Sequence, residues 1–205
     1  MPPRPEPITV EGPAGPLEAI LEVPAGFAGE RAAVVCHPHP LFGGTMNNKV
    51  VHTAARALQE AGYATLRFNF RGVGASPGVF DNGLGETDDA LAAFDDARAR
   101  WPAASISVAG FSFGSFVACR VAARRAVREL ILISPPVARF DFGAAPVRPT
   151  VVIQGDVDDV VLADDVAQWV AGLSPVPPLV TVAGAGHFFH GHLAELRQAV
   201  QAALR

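Results

Sequence analysis

The sequence predicts an α/β protein: a mostly parallel, twisted sheet of about eight strands with helices on both faces. Three observations predict it. Nearly continuous apolar runs such as "AAVVCHP" and "ELILIS" recur along the chain, and runs without polar alternation suit strands buried on both faces. Stretches of helical periodicity alternate with them, which is the pattern of crossover-connected parallel strands. No linker-like composition breaks the alternation, so residues 1–205 are read as one domain with a good-sized core.

The elements follow in order. "ITV" and "LEAILEV" read as two strands joined by a Gly/Pro turn at 12–16, a hairpin. The Pro-rich residues 1–7 read as a loose tail. "AAVVCHP" is the third strand. "NNKVVHTAARALQEAG" is a helix, with Asn47 or Asn48 as N-cap and Gly62 as terminator. "YATLRFNF" is a strand and "TDDALAAFDDARARW" a helix with acids in its first turn, where the helix dipole favours them. "SISVAGF" is a strand, "SFVACRVAARR" a helix, and "ELILIS" and "TVVIQG" are strands. "LADDVAQWVAGL" is a helix, "LVTVAG" a strand and "HLAELRQAVQAALR" the closing helix. Residues 135–149 have no helical period and read as a loop.

Half the chain is hydrophobic and only 18% is charged, the balance of a globular protein rather than a disordered one. A net charge of −4 gives no support for nucleic acid or an anionic membrane surface as partner. Cys36 and Cys119 lie in apolar runs and read as reduced core thiols. The opening "MPPRPEPITVEG" has no apolar h-region, and no run reaches the ~18 apolar residues of a membrane span. A cytoplasmic protein is expected.

The pattern G-x-S-x-G occurs twice, as "GASPG" around Ser76 and "GFSFG" around Ser112. It marks a serine nucleophile on a sharp strand-to-helix turn. Only Ser112 has a strand before it and a helix after it. In acyl transfer the residue after the nucleophile donates its backbone N–H to the oxyanion. Phe113 has that N–H, whereas Pro77 has none. Ser112 is therefore the candidate nucleophile, and Ser76 reads as a turn residue.

A serine needs a base, and the base an orienting acid. In this architecture their chain order is Ser, Asp or Glu, His, at the carboxyl ends of strands. His187 is the first histidine after "LVTVAG", and His190 and His192 read as cap or surface residues. After "TVVIQG" come Asp156, Asp158 and Asp159. Asp156 reads as a turn stabiliser, Asp158 lies at the tip, and Asp141 is an outlying alternative.

Taken in order, "GFSFG", "GDVDDVV" and "GAGHFF" resemble the α/β-hydrolase superfamily, while "CHPHPLFGGTMNNKVV" and "RFNFRGVGASPGVFDNGLGE" resemble its small, lidless bacterial branch, related to dienelactone-hydrolase-like and acyl-peptidase-like proteins. The resemblance implies a three-layer α/β-hydrolase fold with no cap domain. It also implies that Asp158 of G-x-x-D-x-x-V is the triad acid. The second oxyanion donor then lies in "HPHPLFGG", where Pro38 and Pro40 lack N–H groups. The donor is then His39, Leu41 or a later residue; aligning His37-Pro38 with the family's His-Gly favours His39, with Leu41 as the next alternative.

The expected function is a serine hydrolase of the carboxylesterase type, with a small-molecule ester-like substrate and no cofactor. Thioesterase and peptidase activities share the machinery. Phe42, Phe111 and Phe188 flank the catalytic loops and are expected to contact substrate. Phe140 and Phe142 are expected to roof the site. Two other classes compete. His37 and His39 with "HFFHGH" could serve a metallohydrolase, but that leaves the serine turn unexplained. A non-catalytic binding protein on this fold is the other, favoured when triad positions are lost, and here none is. Nothing in the sequence encodes an oligomeric state.

Overall fold

The computed structural model describes residues 3–142 and 150–204. Eight strands form one sheet in the order β1-β2-β4-β3-β5-β6-β7-β8. The strands are β1 Glu6–Gly12, β2 Gly15–Glu22, β3 Arg31–Cys36, β4 Ala64–Phe68, β5 Ser105–Phe111, β6 Leu130–Ile133, β7 Val151–Gly155 and β8 Leu179–Val182. β1 and β2 form an antiparallel hairpin, β2 runs antiparallel to β4, and every pairing from β4 to β8 is parallel.

The helices are α1 Lys49–Glu60, α2 Leu84–Arg100, α3 Phe113–Ala122, α4 Ala163–Ala171 and α5 Leu193–Ala202. Strand periodicity distributes the core between two faces. Ala32, Val34 and Cys36 of β3 pack with Phe94 of α2, Val117 of α3 and Val166 of α4. Ala33 and Val35 point the other way, toward Val51 and Leu58 of α1 and Leu196 of α5. This is why the central strands read as unbroken apolar runs: each needs apolar side chains on both faces.

Two expectations on boundaries are corrected. Residues 6 and 7 are not tail: Glu6 pairs with Leu21 and Pro7 with Ile20. β1 is an edge strand, where a proline's missing N–H leaves no neighbour unpaired. α2 starts three residues before "TDD", because the buried Glu86 carboxylate accepts N–H groups from Asp81 and Gly83 and caps the turn ahead of it. Of the two N-cap candidates for α1, Asn48 does the capping, its Oδ1 accepting the N–H of Val50. The expected loop at 135–149 lies partly outside the described residues, as do residues 1, 2 and 205.

β3 leads through α1 to β4 on one side, and β4 leads through α2 to β5 on the other. The crevice at the carboxyl ends of β3 and β5 is thus the sheet's switch point, where such sheets bind ligands.

Candidate active site

Ser112 sits in that crevice, between the last residue of β5 and the first of α3. Its backbone has φ 53° and ψ −122°, a conformation that costs about 1–3 kcal/mol and persists only where its surroundings impose it. The surroundings are close. A Cβ on Gly110 would lie 2.1 Å from the carbonyl oxygen of Gly114, and one on Gly114 would lie 2.3 Å from that of Cys36. Only glycine lets β5, α3 and the end of β3 meet here. The Ser112 N–H is held by Ile133 O at 2.8 Å.

The structure brings Ser112, His187 and Asp158 together from the ends of β5, β8 and β7. His187 Nε2 lies 3.1 Å from Ser112 Oγ, and His187 Nδ1 lies 2.8 Å from Asp158 Oδ2. With Nδ1–H donating to the carboxylate, Nε2 is left as acceptor for the serine hydroxyl. Asp158 and His187 are both buried. Burial alone would push the Asp158 carboxyl up. The hydrogen bond from His187 and the N–H groups of Val161 and Val160 outweigh it and hold the group below its ordinary value.

A fourth residue joins this arrangement, one the sequence reading did not single out. Gln154, buried near the end of β7, donates Nε2–H to Asp158 Oδ2 at 3.2 Å and to Val161 O at 2.9 Å. The carboxylate thus receives four donors, two on each oxygen, leaving it one orientation. The signal was there: Gln154 is the one polar side chain in "VVIQG".

The loop after β3 forms the facing wall. His37 is fully buried; its Nδ1 lies 2.7 Å from Pro38 O and its Nε2 accepts the Phe70 N–H at 3.0 Å. This ties the loop to the end of β4. Burial drives the His37 pKa down to about 3, against a small opposing effect of the Pro38 carbonyl. The His39 ring packs against Phe42, Phe80 and Phe113, and burial lowers its pKa as well. Leu41 does not join the site. It is 67% exposed, and its N–H is already bound to His39 Nδ1 at 3.2 Å. The His39 N–H has no partner among the described residues. The Phe113 N–H opens α3, where helix geometry supplies no acceptor.

A cleft of about 510 Å³ opens beside Ser112. Phe42, Phe140 and Phe188 line it. Phe111 does not, and the expectation that it contacts substrate is corrected. It is 1% exposed and packs beneath His187, ring centroids 5.0 Å apart. It alternates with Gly110 on β5, so its side chain belongs to the core of the α1/α5 face. Phe142 also turns away, toward Phe116 and Trp169. Arg139, Val160 and Val161 also line it; they sit in loops with no motif to mark them.

The remaining candidates have structural partners. Ser76 donates to Asn69 O and accepts the Glu18 N–H, joining β2 to the loop after β4. Asp156 accepts the Gly184 N–H at 2.6 Å. His190 lies 3.2 Å from Lys49 Nζ, and His192 stands at the N-cap position of α5 with its ring 3.7 Å from Glu195 Oε1 rather than bonded to the helix end. Among the described residues no group of three or more His, Cys, Asp or Glu side chains could hold a metal ion, and no helix is long and apolar enough to cross a membrane.

The sheet order, the serine turn after β5 and the loops after β7 and β8 define the class: an α/β-hydrolase. More narrowly, the chain belongs to the serine aminopeptidase, S33 family, which residues 30–146 match. It is 41% identical over 180 residues to an uncharacterized protein of Rickettsia prowazekii (strain Madrid E), covering 82% of this chain and 76% of that one. Among solved structures it is similar to an α/β serine hydrolase without lid from Xanthomonas campestris, with 43% identity, a TM-score of 0.93 and coverage of 100% of this chain and 95% of that one. It is also similar to an α/β serine hydrolase homologue from Coxiella burnetii, with 42% identity, a TM-score of 0.93 and coverage of 98% and 97%. Fold and family together make the chain a hydrolase.

Proposed function

We propose that this protein is a carboxylesterase-type serine hydrolase acting through Ser112, His187 and Asp158. The observation that carries the reading is the continuous hydrogen-bonded series Ser112 Oγ, His187, Asp158, opening on a largely apolar cleft.

His187 Nε2 takes the Ser112 hydroxyl proton as Oγ bonds to the ester carbonyl carbon. Asp158 stabilises the imidazolium that forms. The backbone N–H groups of Phe113 and His39 receive the oxyanion; one such donor is typically worth ~10²–10³ in rate. The carbon–oxygen bond to the leaving alcohol breaks and His187 returns the proton to it. Water, deprotonated by His187, then attacks the acyl carbon; its bond to Ser112 Oγ breaks, the acid leaves, and His187 returns the proton to Oγ. No step calls for a cofactor. The cellular setting we propose is the cytoplasm, where Cys36 and Cys119, whose thiols burial pushes up, stay reduced.

The test is reaction with a fluorophosphonate probe, with the adduct located by mass, in wild type, Ser112→Ala and Ser76→Ala. Labelling of Ser112 that is lost only in Ser112→Ala is expected, followed by turnover of p-nitrophenyl esters. Thioester or peptide turnover exceeding ester turnover would reassign the substrate within the same machinery. A folded wild-type protein that takes no label would turn the assignment toward a non-catalytic binding protein.

A further inference from the structure

The walls of the cleft are mostly apolar, and among the described residues one lining side chain carries a fixed positive charge. That residue is Arg139, on the loop that follows β6. Among the described residues no carboxylate lines the chamber that holds Ser112. Elsewhere on the surface, arginines such as Arg100, Arg125 and Arg128 each face a carboxylate at 2.6–2.7 Å. Arg139 makes no ion pair among the described residues. A smaller chamber of about 180 Å³ continues past it, sharing Pro136, Val160 and Val161 with the first and reaching Asp165. Arg139 therefore stands where the two chambers join.

We infer that Arg139 selects substrates by an anionic group: esters whose apolar body ends in a carboxylate. The inference rests on the ester-hydrolase reading and adds the substrate class to it. The chain carries a net charge of −4, so its long-range field does not draw an anion in, and the attraction must be local. A guanidinium grips a carboxylate through two parallel N–H bonds. Apolar walls strengthen that contact by lowering the local dielectric, while exposure of the loop weakens it. The cavity is on the order of 10 Å across for its volume of about 510 Å³. With C–C bonds of about 1.5 Å, the carboxylate belongs roughly four to six carbons from the ester carbonyl. Among the described residues Asp165 is the one carboxylate lining the smaller chamber, and its charge would confine the anion to the Arg139 side.

Two substrate pairs test this. p-Nitrophenyl adipate and its neutral ω-amide place the charge on the acyl arm. Butyrate esters of 4-hydroxybenzoate and 4-hydroxybenzamide place it on the alcohol arm. In at least one pair, wild type is expected to prefer the anion roughly tenfold in kcat/KM, a preference that shrinks as salt is raised. In Arg139→Gln the ratio falls to about one, in Arg139→Lys it is intermediate, and in Arg139→Glu it inverts. No preference in either pair, or one that survives Arg139→Gln, overturns the inference. The monoanilide of adipic acid and its ω-amide, titrated by NMR into Ser112→Ala with and without Arg139→Gln, read the same contact without turnover. Hydrolysis of all esters alike removes Arg139 alone. Preferred binding of the acid in a protein that hydrolyses no ester removes the hydrolase reading and keeps Arg139 as the anion-binding residue.

Discussion

Acid should loosen this protein through His37, and the size of the effect follows from its burial. The ring is enclosed completely and accepts the Phe70 N–H on Nε2. A proton on Nε2 would set donor against donor. The folded-state pKa is about 3, against 6.5 for a free histidine. From pH 6.5 downward the unfolded chain therefore binds a proton that the folded chain refuses. Stability falls as pH drops, by about 1.4 kcal/mol per pH unit for this group, and levels off near pH 3. At pH 4, two and a half units below 6.5, the loss is about 3 kcal/mol, a large share of a typical domain stability of about 5–15 kcal/mol. The assay is urea unfolding at pH 7 and pH 4, in wild type and in His37→Gln. The variant starts lower, having lost two hydrogen bonds, but its drop between the two pH values should be about 3 kcal/mol smaller than that of wild type. Asp158 acts in the same direction, its depressed carboxyl contributing stability that fades as pH falls, but it is common to both proteins and cancels. Equal drops in the two proteins, or an NMR titration of the folded His37 ring near pH 6.5, would mean that His37 is not kept neutral by burial.

Other consequences are open to direct measurement. Gly114→Ala pushes a Cβ to 2.3 Å from Cys36 O; a melting curve should show about 1–3 kcal/mol lost, and single-turnover rates a fall of ~10²-fold as the loop after β3 is displaced. Gln154→Leu removes one donor to Asp158 Oδ2; kcat should fall roughly tenfold with KM little changed, as for loss of one hydrogen bond to a charged group. Equal falls in kcat and rises in KM would contradict that positioning role. Ser76→Ala should lose about 1–2 kcal/mol in urea unfolding, because it strands Asn69 O and the Glu18 N–H, yet keep its fluorophosphonate label.

Much of this arrangement was legible in residue order. The serine turn could be chosen over its twin because Pro77 has no N–H to offer and Phe113 does. Asp158 and His187 follow strands that announce themselves as apolar runs. What stayed illegible depended on side-chain direction. Phe111 and Phe113 both adjoin Ser112, yet one faces the α1/α5 core and the other lines the cleft. Leu41 lost its role as donor because the His39 ring had already taken its N–H. Arg139 and Gln154 carry no motif at all.

The alternation of strands and helices, the serine on its turn and the order of its partners are written in the order of residues. These are local properties: periodicity, glycine at tight approaches, and proline's missing donor. Which N–H groups remain unspent, which oxygen of Asp158 meets His187, and which charge stands in the cleft follow from packing. Those depend on distances between residues such as Ser112 and His187, 75 positions apart in the chain. Only the packed sheet sets such distances, because each strand's register fixes where the loop at its end arrives.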